Sequence, residues 1–310
     1  MIDFEDFSHQ VRNAEVKYLI LTLVLVTCNR LLMPIKWNLL LLAKKRGLDW
    51  WDAIRVYYVS TFFGLFLPAT VGADALRAYY AKKQGVAVAE GLASILVERV
   101  LGLIVLLVFG VLGCLLLILY IADLQFDALQ LTGYAVVLSG LVISAFAFTL
   151  SERFGGWVER AEAYLERKSV APKITTKLVM LHSAYAEYRK HKLAMLMFFV
   201  LTCAETILPI MWSYFVGLSL GVDDVPFAFY FAFVPVTLLL IRLPISLDGF
   251  GVNEASYVYF LGMMGVASAT GFAIGLVSHV LFIVGLLPGL LFYLLQRRGY
   301  REVIETAADT

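Results

Sequence analysis

The order of apolar and polar stretches is the most informative feature of this chain. Apolar runs of about 20 residues or more occupy positions 17–43, 86–122, 129–150, 193–216 and 266–295. A bilayer core of roughly 30 Å takes about 20 such residues per helix, so each of these runs predicts one complete crossing. Two further segments, 52–83 and 227–264, are apolar but interrupted. Each contains Leu-Pro followed by a glycine-bearing elbow: Leu67-Pro68 with Gly72, and Leu243-Pro244 with Gly249 and Gly251. Proline frees a carbonyl one turn upstream, and glycine lets the chain turn.

Charge placement orients these segments. Lys44, Lys45, Arg46, Lys82, Lys83, the nine Lys/Arg of 151–192, and Arg297, Arg298 and Arg301 mark one side; the loops at Asp123 and at Asp223-Asp224 hold no Lys or Arg. The positive-inside rule makes the basic side cytoplasmic, including the C-terminus, in a cell (inner or plasma) membrane. Segment 52–83 then enters and leaves from the cytoplasm, and 227–264 enters and leaves from outside. Both read as re-entrant helical hairpins, the alternative being two ordinary spans each. The polar stretch 151–192 places Trp157, Ala161, Tyr164 and Leu165 at helical spacing, as a surface helix connecting two halves would. The acidic start gives no reason to expect a cleaved signal peptide. Phe4, Phe7 and Val11 would form a short interfacial face or a frayed tail.

Positions 85–110 and 265–290 align without gaps, with 12 of 26 residues identical, including Gly85-Val86 over Gly265-Val266 and Gly91 over Gly271. Each copy follows its own broken hairpin, and the intervening 129–150 span sets the two in opposite orientations. The expected fold is therefore an all-α polytopic membrane protein. It is an inverted-topology repeat (17–122 and 193–295, joined by 123–192) with two re-entrant helical hairpins. Such repeats bind substrate between the halves near the midplane. Non-helical backbone at that depth survives only where it lines a cavity or is covered by protein.

Composition agrees: 61% of residues are hydrophobic, only 16% are charged, and the mean hydropathy is +0.83. A net charge of +1 gives no reason to expect a nucleic-acid partner. Cys28, Cys114 and Cys203 lie singly in apolar runs and read as small buried hydrophobes.

The ionisable residues inside the apolar segments are the candidate chemistry, because charge at the bilayer centre costs roughly 2.5–3.5 kcal/mol and should face a cavity or a partner. Asp74 and Arg77 stand three apart, so they share a helix face. Glu98-Arg99 precede the apolar core of their helix, and Arg99 aligns with His279 across the repeat. Arg242 comes one turn before the second elbow, which Asp248 and Glu254 flank, with Asn253 beside them. Arg77, Arg99 and Arg242 would hold phosphate, whose geometry their planar forks match. Asp74, Glu98, Asp248, Asn253 and Glu254 would complete the substrate site, with Glu98, Glu254 and His279 as candidates for coupling; static bridges and a packing histidine are the plain alternatives. Arg30, Lys36 and Trp37 read as helix-edge residues, and Glu205 stands alone in its span.

The stretch Trp37, Phe62-Phe63, Leu67-Pro68, Gly72-Ala73-Asp74, Arg77, Ala93-Ser94, Glu98-Arg99, Gly102 resembles the lysylphosphatidylglycerol synthase transmembrane (flippase-domain) family, as do Pro244-Ile-Ser, Gly249-Phe-Gly251 and Glu254. The resemblance covers about residues 25–295. This chain has Gly72-Ala73-Asp74 and Lys36-Trp37 where the family often has Gly-Gly-Asp and Arg-Trp. The resemblance implies movement of lipids between leaflets. No soluble synthase domain follows position 295, so aminoacyl transfer is not expected of this chain.

The expected function is thus a flippase for a phospholipid or polyprenyl-phosphate lipid, not an enzyme, with no cofactor. Its partners would be a membrane lipid, a lipid-modifying enzyme and further copies of itself. A secondary transporter of a small polar solute or ion uses the same scaffold; a cavity sealed from lipid would favour it. An accessory subunit or enzyme of lipid-linked glycan synthesis is less favoured. No DxD or HxxxxD pattern is present.

Overall fold

In hydrocarbon every backbone polar group must be satisfied within the chain, and helices do this locally. The computed structural model is accordingly mainly helical over its described residues, which are Arg12, 14–66, 71–120, 180–242, Ser246, 248–295 and scattered positions between 133 and 160. The helices are α1 (Val16–Ala43), α2 (Trp50–Gly64), α3 (Val71–Lys83), α4 (Val88–Tyr120), α5 (Lys192–Ser219), α6 (Phe227–Ile241), α7 (Val252–Gly262), α8 (Ser268–Val284) and α9 (Leu287–Leu295). A 3₁₀ turn, Glu187–Lys190, leads into α5. The expected 129–150 span and the surface helix of 151–192 are described only in part, and Phe4, Phe7 and Val11, the prolines Pro68 and Pro244, and the basic C-terminal arginines lie outside the described residues.

Among the described residues, four helical stretches are long and apolar enough to cross a membrane: Val16–Ala43, Val88–Gly113, Lys192–Ser219 and Ser268–Leu295. At 1.5 Å per residue, α1 and α5 are each about 42 Å long. The helices of the interrupted segments are much shorter: α2 and α6 have 15 residues each, α3 has 13 and α7 has 11. None reaches the roughly 30 Å of a bilayer core.

The two halves share local devices. α3 and α7 both end in a Schellman motif, with glycine at positive φ. The Val86 amide donates to Ala81 and that of Gly85 to Lys82; likewise Val266 donates to Leu261 and Gly265 to Gly262. Gly85 and Gly265 sit at φ 87° and 79°, which explains the Gly-Val pair common to both copies. α1 and α5 end the same way, α5 with Gly221 and α1 with Lys45, a non-glycine residue at φ 57°.

Packing between the halves is reciprocal. α1 lies along α5; α2 packs on α9, and α6 packs on α4. Both cross-contacts use a glycine. Gly113 meets the α6 backbone at Ala232, and Gly289 meets the α2 backbone at Tyr58, so a Cβ at either would collide with main chain. Small residues let helix backbones approach this way in membranes. The outward faces carry Val16, Ile20, Leu23, Val24 and Leu31 on α1, and Leu193, Leu196, Met197 and Val200 on α5. Exposed Cys28 belongs to that exterior face, not to the interior expected of it.

α1 and α5 each contain one interior proline, Pro34 and Pro209. Each deprives the carbonyl four residues earlier of its helical donor. Those residues are Arg30 and Glu205. The Asn29 side-chain amide donates to the Glu205 carbonyl at 3.1 Å, replacing the missing bond. Both prolines are buried, so the two weak points face the interior of the bundle.

Candidate functional site

Between the halves lies a cavity of about 300 Å³ with walls from α1 to α8. Its lining includes five Lys/Arg residues (Arg30, Lys36, Arg77, Arg99 and Arg242), together with Asp74, Glu98, Glu205, Asp248 and His279. Charges spread over more than 200 positions of sequence thus converge within an apolar bundle.

α3 and the start of α4 build one wall. Asp74 and Arg77 share a face of α3, one turn apart, and Asp74 Oδ1 accepts from Arg77 Nη2 at 3.1 Å. Arg99, from α4, forks onto the same carboxylate, with Nε donating at 2.9 Å and Nη2 at 2.7 Å. The other side of Arg77 meets Glu98, Nη1 to Oε2 at 2.8 Å. The Tyr57 hydroxyl donates to Glu98 Oε1 at 2.9 Å. Arg77 is 3% exposed, with the rings of Trp37 and Tyr57 within 5.2 and 4.8 Å of its guanidinium. The result is an alternating chain, Arg99–Asp74–Arg77–Glu98, closed by tyrosine.

α1 and α5 build the second wall. Lys36 Nζ bonds Glu205 Oε2 and lies 5.0 Å from the Phe198 ring. Arg30 is 5% exposed and stacks on Phe282 at 4.0 Å. These residues correct the sequence reading. Arg30, Lys36 and Trp37 are buried inside α1 and do not mark its edge, and Glu205 is paired. The signal that could have found them is the ionisable residue four positions before a mid-helix proline, present in both Arg30-x₃-Pro34 and Glu205-x₃-Pro209.

The third wall forms around the described part of the second elbow. Asp248, Gly249 and Gly251 hold φ of 49°, 85° and 81°, three positive-φ positions at the turn into α7. Glu254 caps α7 by accepting from the Gly251 amide at 2.7 Å, a service a carboxylate at N3 performs well. Its second oxygen meets His279 Nδ1 at 3.0 Å. His279 Nε2 lies 3.7 Å from Asp248, and the ring stacks on Phe250 at 4.2 Å. Asn253 donates to the Gly275 carbonyl at 2.9 Å.

Of the residues singled out from sequence, Asp74, Arg77, Glu98, Arg99, Arg242, Asp248, Asn253 and His279 all line the cavity. Glu254 stands behind His279 instead, buried to 4% exposure and engaged at both oxygens. Arg99 and His279, aligned across the repeat, face one cavity from opposite halves. The sequence missed Arg30, Lys36, Tyr57, Glu205, Ser213 and Tyr257; the last two bond to each other through their hydroxyls. Among the described residues no group of three or more His, Cys, Asp or Glu is placed to hold a metal.

Long apolar helices enclosing a charged internal cavity define a polytopic helical membrane protein with an embedded polar site. The chain belongs to the family of the lysylphosphatidylglycerol synthase TM region, whose model it matches over residues 1–289. No curated protein and no solved structure matches the chain.

Proposed function

We propose that this protein is a lipid flippase that admits the phosphate-bearing headgroup of a membrane lipid to the cavity while the acyl or prenyl tails stay in the bilayer. One observation carries the reading: five Lys/Arg side chains and four carboxylates line a single cavity inside an apolar helical bundle. Intramembrane ionisable residues are costly and mark substrate paths. The volume sits at the low end of ligand pockets, suited to a headgroup rather than a whole lipid. Family membership supports a lipid-related role.

The architecture fits transport in its finer points. α2–α3 and α6–α7 act as re-entrant hairpins, too short to cross singly. Their like caps and reciprocal glycine contacts suit two halves of inverted topology. Movement of one half against the other would expose the cavity to each leaflet in turn. In this reading the membrane is the cell membrane, the C-terminus is cytoplasmic, and no chemistry is done on the lipid.

The test uses purified protein in vesicles carrying a fluorescent phospholipid. Dithionite quenches only outer-leaflet label. Accelerated loss of the protected inner fraction, relative to protein-free vesicles, is expected. Loss at the protein-free rate, with a range of phospholipid headgroups, would refute the flippase reading.

A further inference from the structure

The cavity's cations differ in how far they are already committed. Arg77 is held by Asp74 at 3.1 Å and Glu98 at 2.8 Å. Arg99 spends two of its donors on Asp74. Lys36 is taken by Glu205. Arg30 and Arg242 have no carboxylate within ion-pair distance among the described residues.

Arg30 is the more telling of the two. It is 5% exposed, it lines the cavity, and its Nε is buried without a hydrogen-bond partner among the described residues. A buried charge lacking a counter-ion is unfavourable and persists where a ligand supplies the missing charge. Phe282 covers one face of its guanidinium at 4.0 Å, which fixes the plane and leaves the N–H edges for hydrogen bonding. Arg242 closes α6 directly before the second elbow and lines the same cavity. Gly102 of α4 lies opposite it: a Cβ there would stand 3.5 Å from Arg242 Nη2, so the missing side chain leaves the guanidinium room to move. Asp248, the remaining lining carboxylate, faces His279 at 3.7 Å.

We propose that Arg30 and Arg242 together form the phosphate seat, taking a phosphate mono- or diester between two guanidinium forks, while Arg77 and Arg99 are framework. This rests on the headgroup reading above and changes its residues: of the three arginines expected from sequence to hold phosphate, only Arg242 keeps that role, and Arg30 joins it. Planar forks suit tetrahedral phosphate oxygens better than a point charge does.

The test is direct binding, kept separate from translocation. Full-length protein in a phosphate-free detergent is titrated with dioctanoylphosphatidic acid, dioctanoylphosphatidylglycerol, dioctanoylglycerol, glycerol 3-phosphate and inorganic phosphate, followed by calorimetry. The two phospholipids should bind at least about tenfold more tightly than dioctanoylglycerol. Arg30→Gln and Arg242→Gln should each weaken them by about tenfold or more, the worth of a charged hydrogen bond. Arg99→Gln should cost less than either, and Arg46→Gln, at a half-exposed side chain paired with Glu90 away from the cavity, should leave phospholipid affinity within about threefold. Arg30→Lys, which keeps charge but not the fork, should fall between, and it carries the test if Arg30→Gln does not fold.

Unchanged affinity in both Arg30 and Arg242 variants, or loss confined to Arg99→Gln, would overturn the assignment. Glycerol 3-phosphate or inorganic phosphate competing as well as the short-chain lipids would uphold the phosphate seat but point to a soluble substrate. Lipid binding that depends on Arg30 and Arg242, without translocation in vesicles, would uphold the seat and reject the flippase.

Discussion

Replacing Glu98 with leucine removes the acidic end of the Arg99–Asp74–Arg77–Glu98 chain. Glu98 is 7% exposed and engages two partners, Arg77 at 2.8 Å and the Tyr57 hydroxyl at 2.9 Å. Breaking a buried ion pair by removing one member costs about 3–5 kcal/mol. Arg77 retains Asp74 at 3.1 Å, which places the ionic part at the lower end. The stranded tyrosine hydroxyl adds roughly 1 kcal/mol. The expected loss is about 4 kcal/mol for Glu98→Leu. It is about 2 kcal/mol for Glu98→Gln, which keeps an acceptor for Tyr57. Arg77→Met alone should cost about 3 kcal/mol. The double variant Arg77→Met/Glu98→Leu leaves no orphaned charge, because Asp74 still holds Arg99. It should be destabilised by only about 2 kcal/mol, giving a coupling of several kcal/mol. Reversible unfolding of the detergent-solubilised protein in sodium dodecyl sulfate gives all four values. Additive single variants, or losses within about 0.5 kcal/mol, would refute the view that this chain of charges is framework.

Three further predictions follow from the same contacts. Gly91 and Gly271 are equivalent in the repeat but not in space. A Cβ on Gly91 meets atoms at 3.9 Å, whereas on Gly271 it meets the Val258 Cα at 3.1 Å and the Tyr257 carbonyl at 3.3 Å. Gly91→Ala should be neutral or stabilising by up to about 1 kcal/mol, and Gly271→Ala destabilising by about 1–3 kcal/mol, both read from unfolding midpoints. Lys45 holds φ 57° where the matching caps carry glycine; Lys45→Gly should stabilise by about 1 kcal/mol, seen as a raised thermal midpoint. Outside the bilayer, the hydrogen bond from Lys44 holds the Glu187 carboxyl below its usual range. Its folded value is depressed, so the stabilisation is present above the ordinary carboxylate pKa and fades as pH falls through the folded one. Because Glu187 is about half exposed, the effect stays below about 1 kcal/mol. Glu187→Gln should remove that part of the acid dependence of the unfolding midpoint.

Sequence alone settled the solvent, the element type and the position of several breaks. Hydropathy is a local property, and lipid permits only internally bonded backbone, so long apolar runs had to become helices. The Gly-Val pairs at 85–86 and 265–266 were equally legible, since a helix end needing positive φ favours glycine whatever surrounds it. Asp74 and Arg77 could be joined because three residues along a helix bring side chains together. The pairings across long stretches could not be. Lys36 meets Glu205 from 169 positions away, and His279 is shared between Asp248, in the turn before α7, and Glu254 of α7. Such partners are fixed by how α1 packs on α5 and α7 on α8, which depends on side-chain shape along whole helices. The difference between Arg99, whose charge is spent on Asp74, and Arg30, whose charge has no such outlet, exists only in three dimensions. Each is simply an arginine in an apolar segment until packing decides which carboxylates come within reach.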